Sequence, residues 1–314
     1  SGTGLGVLTD ESESLVVRKF SDLPLKTAKL MLSIDRVLMI SKTNTQSSVH
    51  RGGYTDYIGV KLFNDTGELI GERRFIGLYT SKAYHSSPND TPFLRKKVTS
   101  VIKKSGFRQH SHAEKDLIAI LSDLPRDDLI QATIGQLYNL SMGILHMQER
   151  RCTKLFVRED NYGRFVSCLV YLPREKFTTE LLQKVQNILM MELSGLESTF
   201  STHFSVSMLA RIDFVIRVNP KVSLKYSIKA IEAQLTEASR SWKDYLQTYL
   251  YEQFKDTEAR YLTKKYIESF PASYREATPA EKTVIDIQHL EELSVDKLLT
   301  VECDDSNLRN KQEL

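Results

Sequence analysis

The sequence predicts an α+β fold: small antiparallel-sheet α/β domains joined by helical segments, one of them a long bridging helix. Three patterns carry that expectation. Residues 154–173 alternate apolar and polar side chains on either side of Asp160-Asn161-Tyr162-Gly163. That is the pattern of a hairpin, because successive side chains of a strand point to opposite faces. Residues 54–63 and 68–84 flank a second turn signal, Asn64-Asp65-Thr66-Gly67, which reads as another hairpin. From Thr91, and again from Thr178, the apolar spacing lengthens to three and four residues, the period of amphipathic helices.

In chain order, residues 1–24 form a weakly patterned lead-in. Gly2-Thr3-Gly4-Leu5-Gly6 is not a phosphate loop, since that motif needs a strand before it and a helix after it. Residues 25–148 make a first α+β domain of three strands followed by helices. The strands are Arg36–Lys42, Tyr54–Phe63 and Glu68–Tyr84, and Gly59 and Gly77 mark places of close backbone approach. Thr91 as N-cap, Pro92 at the first helical position and Gly106 past the end bound a helix. Leu94, Val98, Val101 and Ile102 form its inner face, while Arg95, Lys96, Lys97, Lys103 and Lys104 lie on its surface. Ser111-His112-Ala113-Glu114 is a capping box. Leu124-Pro125-Arg126-Asp127-Asp128 opens a further helix, which accounts for both aspartates without catalysis.

Residues 149–220 form a second small domain. After the hairpin, Thr178 or Thr179 caps a helix whose apolar face holds Leu181, Leu182, Val185, Ile188, Leu189 and Leu193, and Gly195 ends it. Two extended runs follow, Ser198–Val206 and Leu209–Val218. The order strand, strand, helix, strand, strand implies a four-stranded sheet with a helix on one face. Residues 221–295 are helical. Leu224, Ile228, Ile231, Leu235, Trp242, Leu246, Leu250 and Phe254 fall on one face of a helix of about 30 residues, roughly 45 Å long. Such a length suits bridging between domains, and Trp242 reads as a packing anchor. Shorter helices span Glu258–Phe270 and Pro279–Leu293. Residues 296–314, with an extended Leu298–Glu302, read as the start of a further domain or a tail.

A chain of 314 residues with a net charge of +3 points to neither a nucleic-acid nor a membrane partner. No apolar run reaches the ~20 residues of a bilayer span. Cys152, Cys168 and Cys303 are odd in number and widely spaced, the pattern of reduced thiols in a cytoplasmic protein. His110 and His112 lack a third metal ligand and read as an exposed helix-entry pair. The chain carries none of the usual hydrolase, metalloprotease, phosphate-loop or dinucleotide-binding signatures. No catalytic, cofactor-binding or metal-ligating residue is therefore assigned. The densest polar cluster is Arg158, Glu159, Asp160 and Arg164, beside Tyr162 in the turn. Its guanidinium groups could hold an amino-acid carboxylate in a bidentate fork. The alternative is an ion pair within the hairpin that fixes the turn, and it weighs more, since surface charge networks are common and individually worth little.

Several strings together resemble the large bacterial NAD-specific glutamate dehydrogenases. They are residues 73–84 (RRFIGLYTSKAY), 124–129 (LPRDDL), 148–150 (QER), 155–160 (LFVRED), 163–174 (GRFVSCLVYLPR) and 209–217 (LARIDFVIR). The resemblance runs from about residue 25 to at least residue 290. It implies the N-terminal, non-catalytic region of a very long multidomain enzyme, with ACT-like (ferredoxin-like) and helical modules ahead of the catalytic part. The parent would convert L-glutamate, NAD⁺ and water to 2-oxoglutarate, ammonium and NADH. This stretch would need no cofactor of its own and be inactive alone. Its partners would be other domains of the same chain, further copies in a homo-oligomer, and an amino-acid effector. A free-standing amino-acid-sensing or protein-interaction module is the alternative. The usual ACT order is βαββαβ, whereas residues 154–218 read ββαββ, so the domain is expected to borrow an element from a neighbour.

Overall fold

The computed structural model describes residues 17–19, 32, 37–47, 53–147, 152–204 and 208–293. Gly2–Gly6, Leu298–Glu302 and Cys303 lie outside them. Two compact units divide the chain, Ser1–Ala238 and Ser239–Leu314.

The first unit holds two four-stranded antiparallel sheets and the helices around them. Sheet A comprises β1 (Val17–Lys19), β2 (Leu38–Ser47), β3 (Gly53–Phe63) and β4 (Leu69–Gly77), in the order β1-β4-β3-β2. The expected β3–β4 turn is present: Asn64 Oδ1 accepts from the N–H groups of Thr66 (3.1 Å) and Glu68 (2.7 Å), and Gly67 takes φ +82°. β1, within the expected lead-in, adds a fourth strand by pairing with β4. β4 stops at Gly77, short of the extended run expected to Tyr84. Thr80 ends that run, because its hydroxyl caps helix α1 (Ser81–His85) by accepting from Ala83 N–H. Gly59 is a close approach, since a Cβ there would lie 2.9 Å from Glu72 Oε2, but Gly77 has open space around it.

Helices α2 (Pro92–Ser105), α3 (His112–Asp123), α4 (Arg126–Gln131) and α5 (Ile134–Met147) follow. Gly106 closes α2 in the left-handed conformation. Thr91 stands at its N-cap, but its hydroxyl makes no capping bond. Leu94, Val98, Val101, Leu117, Leu121, Leu129 and Leu137 share one core. Lys97, expected on the surface, is buried instead. Its ammonium donates to the carbonyls of Leu129 (3.0 Å), Ile130 (2.5 Å) and Ala132 (2.8 Å) at the C-terminal end of α4, where helix carbonyls need donor partners from outside the helix.

Sheet B comprises β5 (Lys154–Glu159), β6 (Phe165–Pro173), β7 (Glu197–Phe204) and β8 (Leu209–Arg217), in the order β5-β6-β8-β7. Helix α6 (Thr179–Glu192) starts at Thr178, whose hydroxyl accepts from Leu181 N–H at 3.1 Å. The alternation reads through to the packing. Leu155, Val166, Cys168, Val170, Ile212, Phe214 and Ile216 face α6 and a second helix, α7 (Ile228–Ala238). Leu169 and Tyr171 face the α2–α5 core. Both faces of β6 are covered, so eight of its nine residues are buried or nearly so, Ser167 being the more open one. At Gly195 a Cβ would lie 2.6 Å from Met190 Sδ and 2.7 Å from Ile216 Cγ2, so the helix-to-strand crossing needs glycine for space.

The order ββαββα with strands arranged β5-β6-β8-β7 is a circular permutation of βαββαβ. β5 occupies the edge position that the last strand of the usual order would fill. The missing element is α7, from the chain's own continuation: Glu232 accepts from Leu155 N–H (3.0 Å) and pairs with Lys154 Nζ (2.8 Å), blunting the β5 edge.

The expected long helix over 224–254 is two helices, α7 and α8 (Trp242–Gln253). Ser241 and Asp244 form a capping box that starts a new helix and breaks the run at residues 239–241. In the second unit α8, α9 (Asp256–Tyr266), α10 (Ala272–Ala277) and α11 (Ala280–Glu291) enclose Leu246, Leu250, Leu262, Tyr266, Val284 and Ile287. Trp242 is a packing anchor. Its ring meets Phe270 and Tyr274 edge-on, and Nε1 donates to Thr278 O at 2.8 Å.

Candidate functional site

The β5–β6 turn is closed by its own backbone and by one side chain. Asp160 N–H donates to Phe165 O (2.8 Å), Gly163 N–H to Asp160 O (2.9 Å) and Tyr162 N–H to Asp160 Oδ2 (3.0 Å). Gly163 takes φ +64°, which glycine adopts without strain.

The five residues singled out in this hairpin do not form one cluster: Glu159 accepts from the Tyr226 hydroxyl at 2.8 Å, and the others diverge. Arg158 turns away from it: Nε and Nη2 meet Asp128 Oδ1 at 2.7 and 2.6 Å, and Nη2 reaches Gln131 Oε1 at 3.3 Å. Asp160, Tyr162 and Arg164 converge instead on β2. Ser41 Oγ donates to Asp160 Oδ1 at 2.7 Å, Arg164 Nη2 donates to Ser41 Oγ at 3.3 Å, and Tyr162 O–H reaches Met39 Sδ at 3.4 Å. The Arg164 guanidinium lies 4.8 Å from the Tyr162 ring centre, a cation–π contact. The hairpin's charges therefore join it to the helices on one side and to sheet A on the other. Tyr54 completes the second junction, its ring 4.7 Å from that of Phe165 and its hydroxyl donating to Glu197.

Between these junctions lies a cavity of about 550 Å³, bounded by the start of α4, by Lys42 and Tyr54 of sheet A and by the open face of sheet B. Ion pairs line it. Lys42 Nζ bridges Asp56 Oδ1 (2.9 Å) and Asp127 Oδ2 (3.1 Å), while Asp127 also accepts from the Tyr84 hydroxyl (2.9 Å). Arg211 is held by Asp213 (2.8 Å) and Asp123 (2.5 Å), and His203 Nε2 lies 3.1 Å from Asp213. Burial alone would lower the pKa of Lys42, but Asp127 and Asp56 outweigh it and hold it above the ordinary lysine value. Two carboxylates share that one ammonium, and burial pushes Asp56 upward. Burial likewise raises Asp213 against the opposing pull of Arg211, and it raises the Tyr171 phenol to about 12.

Arg126 stands apart. It is 8 % exposed, and Nε and Nη2 donate only to the backbone carbonyls of Tyr84 and Ser86. Among the described residues its Nη1 has no acceptor, as is true of Arg164 Nε, and burial lowers the pKa of Arg126. Sequence reasoning read Arg126, Asp127 and Asp128 as the opening of a helix. That reading is correct for the backbone and silent about the cavity, because nothing in the local period links them to Lys42 or Arg158. Among the described residues no group of three or more His, Cys, Asp and Glu is arranged to hold a metal ion, and His110 and His112 are exposed. Cys168 is fully buried, and burial pushes its thiol pKa up, so it packs the core as a neutral thiol. No described helix is long and apolar enough to cross a membrane.

Three family profiles match the chain: "Glutamate dehydrogenase, ACT2 domain" over residues 154–243, "Glutamate dehydrogenase, helical motif 1" over 91–150, and "Glutamate dehydrogenase, helical motif 2" over 249–293. The NAD-specific glutamate dehydrogenase of Halomonas elongata is 41% identical over 258 residues, 82% of this chain and 16% of that protein. That of Pseudomonas aeruginosa is 38% identical over 265 residues, 84% of this chain and 16% of that protein. The Mycobacterium tuberculosis protein is 26% identical over 279 residues, 85% of this chain and 17% of that protein.

Proposed function

We propose, on the premise that this chain belongs to the family of the large NAD-specific glutamate dehydrogenases, that it is the N-terminal regulatory and assembly region of such an enzyme. The parent reaction is oxidation of L-glutamate with NAD⁺ and water to 2-oxoglutarate, ammonium and NADH, catalysed by polypeptide outside this stretch. The chain spans only 16% of the length of the two more similar relatives. NAD belongs to the catalytic part, and the setting is cytoplasmic, in keeping with free Cys152 and Cys168.

The observation that carries this reading is the match of the ACT2 profile to a sheet whose first hairpin is tied by its charges to the neighbouring elements. Arg158 grips the helical module and the Asp160–Arg164 turn grips sheet A. A part built this way holds other parts in register. Its role is to position further domains of the same chain, and neighbouring copies in a homo-oligomer, and to pass on the occupancy of an effector. The test is direct: the purified chain, given L-glutamate and NAD⁺, forms no NADH, whereas the full-length enzyme carrying Asp128→Ala loses assembly or regulation.

A further inference from the structure

We propose that sheet A is a hinged cap: it swings away from the rest of the first unit about residues 77–80, and its polar ties to α4 and to the β5–β6 turn are the latch. The first observation is covalent. All four strands of sheet A precede Leu78, so one crossing of the chain, at residues 77–80, joins the sheet to the helices and to sheet B. Gly77 in that crossing is exposed, with open space where a Cβ would stand, so rotation of the backbone there meets no neighbour.

The second observation is the kind of contact the sheet makes. Neither hydrophobic core of the first unit includes a buried residue of sheet A, and Ile40 touches the α2–α5 core only from its margin. The ties are polar instead: Lys42 to Asp127 at 3.1 Å, Ser41 to Asp160 at 2.7 Å, and Tyr54 to Glu197. Met39 and Tyr57 meet the ring-bearing turn residue Tyr162. A polar junction lets packed bodies move against each other, whereas a shared apolar core holds them. The third observation is unfinished bonding. In the first unit the buried side-chain polar atoms without a partner among the described residues are Tyr79 Oη, Arg126 Nη1 and Arg164 Nε. All three flank this junction: Tyr79 lies in the crossing, Arg126 precedes Asp127, and Arg164 bonds Ser41. A buried donor left unmet is destabilising, so the closed position carries a cost that contact with water relieves.

The inference deepens the assembly reading by naming the part that moves. Its test reads solvent access, so it can fail while that reading and the family assignment stand. The 314-residue chain is treated with dilute hydrogen peroxide, and sulfoxide at Met39 and Met147 is followed by peptide mass spectrometry at low conversion. Met39 is 3 % exposed and lies between sheet A and Tyr162, whereas Met147 is 5 % exposed inside the α2–α5 core. Opening of the cap bares the first thioether and not the second, and the oxidation rate of Met39 scales with the open population. Asp127→Asn and Asp160→Asn each remove one charge from the latch with little change of shape. Each should speed oxidation of Met39 about fivefold or more, the worth of one charge-assisted bond, and leave Met147 unchanged. On the unsubstituted chain ~1 M NaCl, which screens the ion pair, should raise the Met39 rate about twofold or more; if neither variant folds, this salt series decides. A Met39 rate unchanged in the folded variants, unchanged by salt where neither folds, or rising only in step with Met147 would overturn the proposal.

Discussion

Removing the Asp128 carboxylate should be among the most damaging changes available in the first unit. The Asp128 side chain is 4 % exposed and that of Arg158 is 15 % exposed. Asp128 accepts from Arg158 Nε and Nη2 through Oδ1, and from the Ser167 hydroxyl at 3.0 Å through Oδ2. Asp128→Ala strands a largely buried guanidinium and one hydroxyl, and breaking a buried pair from one side costs about 3–5 kcal/mol. Replacing both partners, as in Asp128→Leu with Arg158→Met, removes the stranded charge and should recover most of that loss, to within about 1–2 kcal/mol of the parent. Urea denaturation followed by far-UV circular dichroism gives the three values. Tryptophan fluorescence is unsuitable, because the one tryptophan, Trp242, lies in the other unit. The competing picture, an ion pair confined to the hairpin, assigns the larger loss to Asp160→Ala and little to Asp128→Ala. That ordering would refute the pairing argued from the structure.

Other consequences are equally open to measurement. Lys97→Met leaves three carbonyls at the end of α4 without their donor and should cost about 2–5 kcal/mol; a loss under about 1 kcal/mol by urea denaturation would contradict the burial of this ammonium. Gly195→Ala forces a methyl against Met190 and Ile216 and should cost about 1–3 kcal/mol by overpacking, seen as a lowered melting temperature. Asp56 has a folded pKa raised above the ordinary 3.8 by burial, so the folded state keeps this proton to higher pH than the unfolded chain does. Its contribution to stability is complete below pH 3.8 and is lost as pH rises through the raised value. Asp56→Asn should flatten that part of the stability–pH curve, and an unchanged slope would exclude the shift.

Most of the fold was legible because it rests on local periods. The two-residue alternation from Leu155 to Tyr171 assigned the sides of β5 and β6, and it did so because the sheet separates two distinct cores. The turn at Asn64–Gly67 and the stop at Gly106 were readable because a positive φ demands particular residues there. The long helix failed for a physical reason. One apolar face continues in register through Leu235 and Trp242, but the Ser241–Asp244 capping box ends one helix and begins the next. Capping chemistry outweighed the period. Lys97 was misplaced because a helix period says which side a residue faces, and nothing about an acceptor cluster brought there by α4. The candidate site was legible in its residue types and not in its partners. Arg158 and Asp160 sit in one hairpin, yet one pairs with Asp128 and the other with Ser41, contacts made only by the tertiary fold. Arg126 carried no signal at all beyond its place at a helix start.

On the proposed function, these residues support and regulate while the hydride chemistry takes place elsewhere in the parent chain. The most direct measurement is the rate of NADH formation by the purified 314-residue chain supplied with L-glutamate and NAD⁺. No rate above the protein-free control is expected at any chain concentration. A rate that rises in proportion to the chain would contradict it.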